Sequence, residues 1–233
     1  MEVKVGVAKV PKFDYRESGD SLEVVERPRG GISAIMADAQ GSGVPAKRVS
    51  RMVVSKAMAM VADGARDGAV ARAVHDFLHA SKDGKVLSTL TMVSVDAMSH
   101  TLVVSRNGGP AVWVSGPQCD MFLEDDCPPI GVGKMVKPSV TEVPLAEGLL
   151  VVVVTDGITS AGKRTPSAEP LDLASVAREI GPRDPETIAD AILTLAVNLD
   201  AGKPSGDMTV LALSVLPEAS RPRVRRLSLS FPL

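Results

Sequence analysis

Four aspartates stand where apolar, strand-like runs begin or end, and a carboxylate in such a place is costly to bury unless something positive meets it. Asp20 sits in SGDSLEV, just ahead of a strand pattern. Asp38 closes the apolar run ISAIMA and opens the loop DAQGSG. Asp156 closes LLVVVVT and is followed by Gly157, and Asp207 opens SGDMTVL. Taken singly, each is weak evidence, because capping or turn formation explains a loop Asp more often than not. Taken in order, two exits from hydrophobic strands, each leading into glycine, point to carboxylates that share a site with cations. Histidine is confined to His75, His79 and His100, with no ligand triad among them, so an oxygen donor set favours hard ions, Mg²⁺ or Mn²⁺, over zinc.

Competing chemistries lack their spacing. The DAQGSG loop has neither the GxxxxGK[ST] nor the GxGxxG pattern of a phosphate cradle. Ser42 in GSG has no GxSxG context and no histidine to pair with. His75 and His79 lie one helical turn apart without an HExxH motif and read as helix-face residues. Cys119 and Cys127 show no CxxC spacing, which suggests two thiols in a reducing compartment.

Composition narrows the partners. The chain has 233 residues, 45% of them hydrophobic, enough for a sizeable core. Lys+Arg 26 against Asp+Glu 28 gives a net charge of −2, and aromatics are 3%, so neither nucleic acid nor an anionic membrane is an expected partner. The longest aliphatic run, Leu149 to Val154, is far short of the roughly 20 residues that span a bilayer. The amino terminus, MEVKVGVAKV, alternates and lacks the continuous apolar core of a leader, and a cytoplasmic protein is expected.

The elements that must position these residues follow from periodicity. Val3, Val5 and Val7 alternate as a strand, Leu22 to Val25 form a second, and Ile32 to Ala37, apolar on both faces, a central third. Val49, Met52, Val53, Ala57, Met60 and Val61 make one helical stripe ending near Gly64, and Ala69, Ala73, Val74, Phe77 and Leu78 another. Strands then recur at Leu87–Asp96, Thr101–Arg106, Ala111–Val114 and Met121–Leu123. Asn107-Gly108-Gly109 reads as the turn of a hairpin between the second and third of these. Val140–Val143 and Leu149–Thr155 read as a further strand pair, the latter buried on both sides. Two helices follow, the better one opening at Asp184-Pro185-Glu186, and Met208–Val215 is the last strand. Consecutive hairpins disfavour a doubly wound parallel sheet and favour mostly antiparallel sheets with helices outside. Residues 1–216 read as one domain. Residues 217–233 are a basic tail with Arg221, Arg223, Arg225 and Arg226, read as solvated or locally docked.

The series SGD (Ser18 to Asp20), ADAQGSG (Ala37 to Gly43), VVVVTDGITSAG (Val151 to Gly162) and KPSGDMTVLALSV (Lys203 to Val215) resembles the bacterial branch of the metal-dependent protein phosphatases, the protein phosphatase 2C-like enzymes of the sporulation stage II protein E type. RNGGPAVWVSG and PPIGVG look like that family's intervening hairpin and Pro-Ile-Gly segment. The resemblance implies an α+β fold, a four-layer α/β/β/α sandwich of two mainly antiparallel sheets flanked by helices. It implies two ions, Mn²⁺ or Mg²⁺, at one edge. Asp38 would bridge both, the Ala39 carbonyl would bind one, Asp156 would ligate the other, and Asp20 would orient water or coordinate directly, so that Asp20 and Asp38 are the catalytic pair. The activity implied is hydrolysis of phosphoserine or phosphothreonine by a metal-activated water. The substrate would be a phosphorylated regulatory protein of the anti-sigma antagonist type, and the helical pair Ala46 to Ala80 would act as a switch on the metal loop. One departure stands out. The family's last motif places its metal-binding aspartate where this chain has Gly206, so that Asp207 takes the role by a one-residue shift or one ion is held weakly. A phosphatase-like binding module without turnover is the alternative that Gly206 motivates. Lys12, Arg16 and Lys47 are available as cations for the substrate phosphate.

Overall fold

The computed structural model describes residues 1–28, 30–163, 171–218, 225–226 and 228–230. Arg221 and Arg223 of the basic tail lie outside them. Arg225 is described, and its guanidinium pairs with Glu26 at the protein surface.

Strands β1 (Glu2–Val10), β2 (Ser21–Glu26) and β3 (Gly31–Ala37) precede helices α1 (Gly43–Ala62) and α2 (Asp67–Ser81). Strands β4 (Leu90–Asp96), β5 (Thr101–Asn107), β6 (Val112–Gly116), β7 (Cys119–Leu123), β8 (Ser139–Pro144) and β9 (Leu150–Val154) follow. Helices α3 (Asp156–Thr159), α4 (Leu173–Ile180) and α5 (Pro185–Leu199) lead to the last strand, β10 (Met208–Leu216). Every strand pairing is antiparallel. One sheet has the order β1-β10-β9-β6-β7 and the other β2-β3-β4-β5-β8.

Side-chain alternation along the strands builds the layers. Ala34 and Met36 of β3 face Val151 and Val153 of β9 and Leu211 and Leu213 of β10 in a core between the sheets. The opposite face of β3, Ile35 and Ala37, packs against Val49, Val53 and Ala57 of α1 and Val74 and Leu78 of α2. The opposite faces of β9 and β10, Val152, Val154, Val210 and Ala212, pack against Ala177 of α4 and Ile188 and Ile192 of α5. The result is the expected order of helices, sheet, sheet, helices. Strands β9 and β10 are buried along their whole length, which is why they read as continuous apolar runs. Helix α5 starts as the sequence indicates, with the Asp184 side chain accepting from Thr187 N at 3.1 Å and Pro185 in the first turn.

Two strand pairings expected from sequence are absent. Asn107-Gly108-Gly109 does not join a hairpin, because β5 lies in one sheet and β6 in the other. Gly108 and Gly109 do adopt positive φ, 65° and 80°, but the chain uses that turn to cross the sandwich. The hairpins are β2–β3, β4–β5 and β6–β7. Likewise β8 pairs with β5 and β9 with β10 and β6, so the segments Val140–Val143 and Leu149–Thr155 belong to different sheets. Val7 is also more exposed than the alternation implies, at 39%. Among the described residues, no helix is long and apolar enough to cross a membrane.

Candidate metal centre

The four aspartates meet at one end of the sandwich, on the seam between its sheets. Asp20 directly precedes β2 and Asp38 directly follows β3, both in one sheet, whereas Asp156 follows β9 and Asp207 precedes β10 in the other. Burial pushes the Asp38 carboxyl up to about 8, and the charges of Asp20, Asp156 and Asp207 add to the push. Asp38 and Asp156, 118 positions apart by their numbers, are therefore neighbours in space. Asp20 is fully buried, and its carboxyl is raised by desolvation and by the charge of Asp207, against the lowering effect of its hydrogen bonds.

The surroundings of Asp20 are specific. Its Oδ2 accepts from Thr209 Oγ1 at 2.6 Å and from Thr155 Oγ1 at 3.1 Å. Thr209 N in turn donates to Thr155 Oγ1 at 2.9 Å, so the two threonines form one unit at the start of β10. Oδ1 of Asp20 is buried and has no hydrogen-bond partner. The Asp38 carboxyl lies within hydrogen-bonding reach of Asp20. Two carboxylate oxygens facing each other satisfy neither unless a proton or a cation sits between them.

Backbone contacts hold the loop that carries Asp38. Its carbonyl accepts from Thr89 N at 2.7 Å and Ser88 Oγ at 2.9 Å, and Gln40 N donates to Leu87 O at 3.1 Å. These bonds flank Ala39 and engage its neighbours, not its own carbonyl. Ser88 bridges Ala39 on one side and Ile130, of the Pro-Ile-Gly segment, on the other. Gly131 N donates to His75 Nδ1 at 3.1 Å, so α2 grips the same segment. On the other side, Lys12 N donates to Asp207 Oδ1 at 2.9 Å. Gly157 is required beside Asp156, because a Cβ there would lie 2.1 Å from the Asp207 carbonyl oxygen. At Gly206 there is room: a Cβ would meet only the Gly157 Cα, at 3.4 Å.

The donors fit a hard divalent cation in kind: carboxylate oxygens, one of them orphaned and buried, in a cluster with uncompensated negative charge. Asp156 is exposed and Asp20 spends one oxygen on threonines. Accordingly, among the described residues no three His, Cys, Asp or Glu side chains already close around one point. Gly206 itself lies against Gly157, the neighbour of the exposed Asp156.

Sequence reasoning passed over Thr155 and Thr209, although both stand inside the TDGIT and DMT motifs it singled out. It also passed over the role of His75, which is buried with its ring directed at Gly131. Helix α1 is tied to the Asp20 loop by Ser50 Oγ, which donates to Gly19 O at 2.5 Å, and by Lys47 Nζ, which donates to Asp20 O at 2.5 Å. Burial, with Lys9 and Arg51 nearby, lowers the Lys47 ammonium to about 8.

Known proteins share this arrangement of elements. Residues 28–216 match the family model described as stage II sporulation protein E (SpoIIE). The stage II sporulation protein E of Bacillus subtilis is 21% identical over 213 residues, 91% of this chain and 26% of that protein, so the chain spans about a quarter of its length. The solved PP2C phosphatase domain of SpoIIE from Bacillus subtilis, with a fragment of its regulatory domain, superposes with a TM-score of 0.79 at 22% identity, over 92% of this chain and 64% of that one. The catalytic domain of the serine/threonine protein phosphatase PstP, solved in complex with 2 manganese ions, gives a TM-score of 0.71 at 14% identity over 92% and 99% of the two chains. The four-layer architecture is thus the PP2C fold.

Proposed function

Since the chain belongs to the stage II sporulation protein E family, we propose that it is a metal-dependent serine/threonine phosphatase that dephosphorylates a regulatory phosphoprotein, of the anti-sigma antagonist type, in the cytoplasm. The observation that carries this reading is the four-aspartate cluster at the sheet seam, with Asp38 pushed up to about 8 by burial and three neighbouring carboxylates. Two divalent ions, Mn²⁺ or Mg²⁺, bound there would supply an activated water for in-line attack on phosphorus and charge neutralisation for the phosphoryl oxygens.

The chain's own residues divide the remaining tasks. Asp38, half-buried and acted on by the charges of the other three, would be the shared ligand, with the Ala39 carbonyl beside it. Asp156 would supply a ligand from the other sheet. Asp207 is anchored by Lys12 N, which fixes one carboxylate oxygen and leaves the other directed toward Gly19. Asp20, oriented by Thr155 and Thr209, keeps its buried Oδ1 unpartnered and so available as an acceptor for a ligand or a water proton. Helix α1 touches the Asp20 loop through Lys47 and Ser50, which supports the idea that a partner acting on α1 alters the site.

The test is phosphate release from a phosphoserine peptide in Mn²⁺, in Mg²⁺ and in chelator. Turnover that requires a divalent ion and is lost in Asp38→Ala and Asp156→Ala supports the reading. Gly206 favours a second one, a binding module without turnover, and retained peptide binding with no phosphate release in any metal would select it.

A further inference from the structure

Beside the Asp20 loop lies a concavity of about 340 Å³ lined by Glu17, Val44, Lys47, Arg48, Arg51 and Met52, with Ser55 at its end. The α1 residues come from adjacent ridges of one helix face: Lys47, Arg51 and Ser55 at four-residue intervals, and Val44, Arg48 and Met52 likewise. Glu17, from the loop between β1 and β2, forms the facing wall. Three cations thus share the hollow with one carboxylate. Lys9 Nζ reaches the same Asp20 carbonyl as Lys47 Nζ, at 3.4 Å and 2.5 Å, which adds a fourth cation at the inner end. Among the described residues, none of the salt bridges involves Lys9, Lys47, Arg48 or Arg51. Two ammonium groups converging on one carbonyl repel each other, and an anion seated against them relieves that repulsion.

We propose that this hollow on α1 is the docking site for an acidic segment of the phosphoprotein substrate, Asp or Glu side chains flanking the phosphorylated residue. The assignment rests on the phosphatase reading above, and charge complementarity and position argue for it. Lys47 links the hollow to the backbone of Asp20, so a chain lying along Arg48 and Arg51 continues directly into the carboxylate cluster. Arg presents a planar fork suited to carboxylates, and Val44, 50% exposed, and Met52 offer apolar contact to the stems of Glu side chains.

The experiment compares fluorescein-labelled phosphoserine peptides flanked by Glu or by Gln, by anisotropy in chelator so that no turnover intervenes. The expected result is Glu-peptide binding tighter on the order of ten-fold, steeply weakened by salt, with the preference erased in Arg48→Glu/Arg51→Glu and reduced in Arg48→Gln/Arg51→Gln. In Mn²⁺, p-nitrophenyl phosphate turnover by those variants is unchanged, which also shows that they fold. Equal binding of the two peptides, or a Glu preference that survives both variants, overturns the proposal. So does a gain seen only with a second phosphoserine in place of Glu. Absence of p-nitrophenyl phosphate turnover in the unaltered protein, with the Glu preference intact, would remove the phosphatase reading and leave an acidic-peptide site.

Discussion

Thr209 Oγ1 donates to Asp20 Oδ2 at 2.6 Å across 189 residues of chain. The bond joins the sheet that contains β10 to the loop that enters β2, and with Thr155 it decides which oxygen of Asp20 is left over. One oxygen is satisfied by hydroxyls, and the other is buried with no donor.

Thr209→Val keeps the shape and removes the donor. A hydrogen bond to a charged group contributes about 1.5–3 kcal/mol, so a loss of that size is expected in urea denaturation. Mn²⁺ affinity should fall as well, because Asp20 is no longer aimed. An unchanged denaturation midpoint would show that the bond does not hold the seam.

Gly206→Asp should have opposite effects with and without metal. The added Cβ is sterically admissible and brings a carboxylate beside Gly157 and Asp156. In chelator, one more negative charge in the cluster should lower the thermal midpoint. In Mn²⁺, the added ligand should tighten binding on the order of ten-fold and raise phosphate release. Calorimetric Mn²⁺ titration reads the first effect, and the idea fails if affinity is unaltered.

Asp38 carries a pH signature. Its carboxyl is raised from 3.8 to about 8, so the folded protein holds that proton more tightly than the unfolded chain does. The associated stability is fully present below about pH 4 and is lost as pH rises through about 8. In chelator, the denaturation midpoint of the unaltered protein should therefore drop relative to Asp38→Asn over that window, and saturating Mn²⁺ should remove the drop. Parallel pH profiles for the two proteins would be falsifying.

The sequence carried the elements and the positions of the four aspartates, because both depend on local pattern. Strand alternation placed Asp38 and Asp156 at the ends of buried strands, and the Asp184 cap marked α5. The assignment of strands to sheets was not legible. Asn107-Gly108 specifies a tight turn wherever it occurs, and whether the chain then folds back or crosses the sandwich is decided by packing between layers. The threonines around Asp20 were hidden for a related reason. Their partner lies 135 and 189 residues away, and no periodicity records such a pairing. His75 was likewise read as a helix-face residue because only the fold brings Gly131 to its ring.

The carboxylates are mounted two on each leaf of the sandwich, and Cys119 and Cys127 are free, so among the described residues no disulfide fixes how one leaf sits over the other. Their spacing is therefore a gauge of alignment across the whole interior, read out at the rim. A volume change deep between the leaves, at Met36 or Val153, would shear the pairs apart and silence chemistry that neither residue touches.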